Sequence, residues 1–169
     1  MKELLDKISS YNLFNYLLPG VVFVCAAKYF TDYDFVQDKE LLGAFLYYFI
    51  GMVISRFGSI VVEPFLKYIK FVEFADYNDF IKASAKDTKV ELFSEVNNSY
   101  RTIVAMTVLL VVLKLFRCIQ TTYEISNDVS HTLLISSLFL MFLFSYKKQT
   151  SYITKRVNAT KNSNHKDES

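Results

Sequence analysis

The chain has 169 residues, 52% of them hydrophobic and 17% aromatic, with a mean hydropathy of +0.22 and only 4 Gly and 2 Pro. A net charge of +2 is too small to point to a direct nucleic-acid partner, and Cys25 and Cys118 fit buried thiols better than a disulfide framework. The apolar residues are gathered in blocks. A water-soluble bundle keeps a polar stripe on each surface helix, and neither Val108–Leu113 nor Leu133–Phe144 leaves one.

A helix of about 20 apolar residues crosses the roughly 30 Å hydrocarbon layer of a membrane. Ile8–Ala27 is uncharged for that length, and Leu41–Val62 is interrupted only by Arg56. Thr102–Leu113 extends to Phe116 past one Lys, and Val129–Tyr146 is uncharged. The expected fold is all-α, an integral membrane protein with four transmembrane helices and a helical cytoplasmic segment between the second and third. Residues 1–10 form a cytoplasmic N-terminus and 11–63 the first two spans. Residues 64–101 form the cytoplasmic segment, 102–146 the last two spans, and 147–169 a polar, basic cytoplasmic tail. With both termini inside, only Lys28, Lys39, Lys114 and Arg117 of the 19 Lys and Arg residues face out. That bias reads both termini as cytoplasmic.

Within the first span Pro19 predicts a kink, or a re-entrant turn, because from Pro19 to Phe30 is only about 18 Å of helix. Asn12 and Asn15 read as solvated at the interface or as polar contacts between helices. Pro64 predicts a break or bend at the membrane surface. Asp76 and Asp87 are helix-start signals. Val90, Phe93, Val96, Tyr100 and Val104 then recur at helical spacing, giving one long helix over about Thr88–Phe116. The loop Arg117–Asp128 is short, and the polar tail is expected to be disordered past Val157.

The second span carries the most informative pattern. Gly51, Ser55, Ser59 and Glu63 fall four apart on one helix stripe, a small-residue ridge suited to close helix packing within or between protomers. Arg56 stands seven residues before Glu63 and reads either as an anchor reaching the inner headgroups or as an ion-pair partner of Glu63. Asn97, Asn98 and Arg101 form a second polar group at the mouth of the third span, expected at the same depth as Arg56 and Glu63. Lys82, Lys86 and Lys89 are the candidate docking residues for a cytoplasmic partner. His131 and His165 are far apart in the chain, and there is no phosphate-binding glycine loop, catalytic triad or paired-ligand motif. No enzymatic activity, cofactor or metal is therefore expected.

Residues 11–20 (YNLFNYLLPG), 55–64 (SRFGSIVVEP) and 97–102 (NNSYRT) resemble a family of small bacterial multi-pass membrane proteins, over about residues 10–116. The resemblance implies the membrane component of an anti-phage defence system, standing beside a cytoplasmic sensor or effector as in the Kiwa arrangement. The expected function is an inner-membrane subunit that oligomerises and couples the bilayer to a cytoplasmic partner protein. A small homo-oligomeric channel or transporter subunit is the alternative, and a toxin-like membrane disruptor a third reading.

Overall fold

The computed structural model describes residues 12–167, with side chains through residue 159. The expected N-terminal segment and the start of the first span, Met1–Tyr11, lie outside the described residues. In chain order the helices are α1 (Leu13–Phe30), α2 (Glu40–Tyr68), α3 (Tyr77–Lys86), α4 (Lys89–Thr122) and α5 (Asn127–Asp167). No strand occurs among the described residues. α1, α2, α4 and α5 as far as Ala159 are each long and apolar enough to cross a membrane.

Both prolines sit inside helices, and neither breaks one. Each follows a widened π-type turn, Leu13–Leu17 before Pro19 and Gly58–Val62 before Pro64. There the Leu18 amide donates to the Leu13 carbonyl and the Glu63 amide to the Gly58 carbonyl, five residues back instead of four. A proline ring collides with the carbonyl four residues before it, and one extra residue in the turn relieves the clash. α1 therefore runs unbroken from Leu13 to Phe30, about 27 Å, with no re-entrant turn. The break expected at Pro64 is replaced by helix continuing to Tyr68.

Beyond Pro64 the chain contains neither Gly nor Pro, so few residues oppose helix extension. α4 passes the expected end at Phe116 and reaches Thr122, leaving only 123–126 as the connection to α5. α5 likewise continues through the polar tail to Asp167, helical where disorder was expected past Val157. The helix starts at Asp76 and Asp87 are realised: the Asp76 carboxylate accepts the Asn78 amide at 2.8 Å, and the Asp87 carboxylate accepts the Lys89 amide at 2.9 Å. α2 and α4 end with Lys70 and Glu124 in the left-handed region, at φ 58° and 49°. The Phe71 amide then closes on the Leu66 carbonyl and the Ile125 amide on the Gln120 carbonyl, capping each helix end.

α1, α2 and α4 form the packed core. Gly20 and Gly51 let α1 and α2 meet backbone to backbone. A Cβ on Gly20 would lie 1.8 Å from the Tyr47 carbonyl oxygen, and one on Gly51 would lie 1.7 Å from that of Tyr16. Ile54, Val62, Ala105 and Met106 fill the α2–α4 seam. α5 is held differently. None of its apolar window is buried, and it leans on the bundle through the partly covered stripe Leu138, Met141, Phe142, Ser145 and Lys148. Phe142 stacks on Phe49 of α2, and Tyr152 on Tyr77 of α3.

Candidate functional site

A polar seam begins in the middle of the three-helix core. Asn15 of α1, Ser55 of α2 and Thr102 of α4 are all buried, at 0%, 4% and 0% exposure. Asn15, in the widened first turn of α1, thus makes the contact between helices that was one of its two readings, and not the interfacial one. The Thr102 hydroxyl lies 2.8 Å from Asn15 Oδ1 and 2.9 Å from the Asn98 carbonyl. Its single proton serves one acceptor at a time. Ser55 Oγ stands 3.3 Å from Thr102 Oγ1 and accepts from Asn15 Nδ2 at 3.3 Å. Three helices thus share one small network, which satisfies groups that burial would otherwise penalise.

The seam ends in a charge cluster around Glu63, whose side chain is only 8% exposed. Arg101 Nη1 of α4 donates to Glu63 Oε2 at 2.6 Å. Lys67, one turn further along α2, reaches Oε1 at 3.2 Å, and Lys148 of α5 reaches the same oxygen at 3.4 Å. Lys148 Nζ also donates to the Ser59 carbonyl at 2.6 Å and lies 2.8 Å from Ser59 Oγ. That carbonyl is free for a reason written in the sequence. In a widened turn it looks to the amide of residue 64, and residue 64 is proline, which has none. The Lys148 ammonium stands in for the missing backbone donor.

Of the two readings of Arg56, the ion pair with Glu63 is not made. Seven residues of helix separate them by about 10 Å along the axis. The extra residue in the turn between them also rotates α2, so the two no longer share a face. Arg56 instead lines a shallow cleft between α2 and α5 with Ser59, Ile60, Ser145, Lys148, Gln149 and Tyr152. Arg101 joins Glu63 directly, whereas Asn98 contributes only a carbonyl and Asn97 is exposed. Gly51, Ser55 and Ser59 are engaged within the protomer by Tyr16, by Asn15 and Thr102, and by Lys148 respectively. Lys82, Lys86 and Lys89 are exposed on α3 and at the start of α4, with Lys82 3.7 Å from Asp79.

At the opposite end of the bundle a second polar knot centres on Gln120, buried in the last turns of α4. It accepts from the Tyr33 hydroxyl at 2.7 Å and donates to Ser130 Oγ at 3.1 Å. This ties the α1–α2 loop to α5. Arg117 adds a contact to Asp32 at 3.3 Å. Asp34, exposed in that loop, is held below the usual carboxylate range by the hydrogen bond from Lys28 and by the Val36 amide.

Sequence reasoning missed Lys148 and Gln120, and it named Asn15 and Thr102 without joining them. Their common signal was available: each is a polar residue inside or at the edge of an apolar window, where a side chain without a partner is costly. No protein-family model, curated protein or solved structure matches the chain.

Proposed function

We propose that this chain is a four-span subunit of a bacterial inner membrane, with both termini in the cytoplasm. In this reading it assembles with copies of itself and couples the bilayer to a cytoplasmic protein. One observation carries it. The Glu63 cluster joins α2, α4 and α5 at the end where α4 and α5 continue as polar helices, with α3 packed against both. A contact made on α3 or on the start of α4 would reach the apolar bundle through stiff helix. The uncovered apolar surface of α5 supports both insertion in lipid and contact with a second copy. Anti-phage defence as the setting rests on the resemblance of the three motifs alone.

The test is affinity purification of the tagged chain from membranes solubilised in a mild detergent, with the native mass of the product. The expected result is a homo-oligomer carrying one stoichiometric soluble protein. That partner should be lost when Lys82, Lys86 and Lys89 are changed to Glu, while the oligomer persists. An oligomer that brings down no partner and conducts ions in bilayers would overturn the coupling role in favour of a channel.

A further inference from the structure

The cleft between α2 and α5 has a use that helix packing does not explain. Glu63 is the carboxylate shared by Arg101, Lys67 and Lys148, and Arg56 lines the cleft beside Lys148 without an ion-pair partner among the described residues. Three cations on one carboxylate, with Arg56 added on the cleft wall, leave an excess of positive charge. In a site shielded from water such an excess attracts a further anion.

Two buried donors are also unfilled. Arg101 Nε and Ser145 Oγ have no hydrogen-bond partner among the described residues. Elsewhere on α5 the hydroxyls of Ser137, Thr150 and Thr154 turn back to a carbonyl three or four residues earlier. Ser145 does not, and it is one of the residues lining the cleft. Ser145 Oγ and Arg101 Nε are closed off beneath the surface, so the group left to meet a ligand at the cleft is the partly exposed Arg56 guanidinium, a fork that matches phosphate oxygens.

The position selects the source of the phosphate. The cleft lies where both apolar stretches give way to charge, from Val62 to Glu63 on α2 and from Tyr146 to Lys147 and Lys148 on α5. In a protein spanning the bilayer as proposed above, that is the level of the lipid phosphates. The cleft is shallow, open on one side and walled partly by Ile60, so a headgroup would lie against it from the flank and not inside it. We propose that this cleft binds the phosphodiester of an anionic phospholipid, with the Arg56 guanidinium as its donor and the positive charge of Lys148 behind it. The inference rests on the membrane-spanning part of the proposed function and is independent of the cytoplasmic partner.

The experiment is native mass spectrometry of the full chain purified in a neutral detergent and exposed to equal amounts of phosphatidylglycerol and phosphatidylcholine. The expected result is retention of phosphatidylglycerol about tenfold above phosphatidylcholine, the scale of one charge-assisted contact. Arg56→Gln should abolish the preference. Gln149→Glu, at an exposed position that places a carboxylate at the same cleft, should abolish it too while leaving the thermal midpoint in lipid-free detergent unchanged. Equal retention of the two lipids by the native chain, or a preference that survives both substitutions, would overturn the site. Stabilisation by millimolar inorganic phosphate with no preference between lipids would overturn the lipid as its source. Alkaline extraction of cell membranes separates the two levels of the argument. A chain that stays in the membrane but shows no lipid preference loses this site alone, whereas a chain that is released loses the membrane-spanning reading with it.

Discussion

Gly51→Ala tests the central crossing of the fold. The added methyl would sit 1.7 Å from the Tyr16 carbonyl oxygen, and ordinary contact begins at 3.4 Å. The obstacle is backbone, so no rotamer change relieves it, and α1 must move away by about 1.5 Å or more. Overpacking of this kind costs about 1–3 kcal/mol. The same displacement stretches the Asn15–Ser55 contact, already 3.3 Å long, and each buried polar group left short of a partner adds about 1–3 kcal/mol. Alanine's better helix propensity returns about 1 kcal/mol. The net expectation is a destabilisation of about 3 kcal/mol. Gly43→Ala is the control, since its methyl meets only the movable Tyr47 ring, at 3.3 Å, and should change stability by less than about 1 kcal/mol. The assay is reversible unfolding of the purified protein by sodium dodecyl sulfate in mixed micelles, followed by the near-ultraviolet circular dichroism of its tyrosines. Equal midpoints for the two variants would refute the backbone crossing.

Two further substitutions address the seam. Thr102→Val keeps the shape but deprives Asn15 Oδ1 of its 2.8 Å donor, and should cost about 1–3 kcal/mol in the same unfolding assay. Glu63→Gln leaves Arg101, Lys67 and Lys148 facing one another without their shared counter-charge. It should cost about 3–5 kcal/mol, and amide hydrogen exchange should quicken over 138–148 of α5 before it quickens in α1.

The elements were legible in the sequence because hydropathy over a window of about 20 residues reports length and burial medium directly. Asp76 and Asp87 were legible because capping is local chemistry, settled within three residues. What the sequence did not disclose is the direction in which each helix face points. Thr102 and Asn15 are 87 residues apart, and Lys148 and Glu63 are 85 apart. Lys148 follows Tyr146 and Lys147 in what reads as an ordinary membrane stop, and only the placement of α5 turns it inward. The Gly51, Ser55, Ser59 stripe was visible as a ridge, but hydropathy cannot say that α1 meets its first member and α5 its third. Arg56 and Glu63 were paired on the geometry of an unperturbed helix, and the widened turn at Gly58–Val62 removed that premise.

That turn also accounts for a proline within a 29-residue helix, four residues from its end. Pro64 costs α2 a backbone bond, and the widened turn before it sets the phase in which Glu63 faces α4 and α5. The same residue leaves the Ser59 carbonyl open to Lys148 at 2.6 Å, so one substitution separates two consequences. Pro64→Ala restores an amide that competes for that carbonyl and allows the turn to tighten, favouring α2 itself by up to about 3 kcal/mol. Lys148 meanwhile loses a charge-assisted bond of about 1.5–3 kcal/mol, and Glu63 rotates away from Arg101. Global stability should therefore change little while the hold on α5 weakens, with hydrogen exchange around 145–152 rising about tenfold or more. If α5 exchanges at its native rate in Pro64→Ala, then it is held by its aromatic contacts at Phe142 and Tyr152, and the Glu63 cluster does not join it to the bundle.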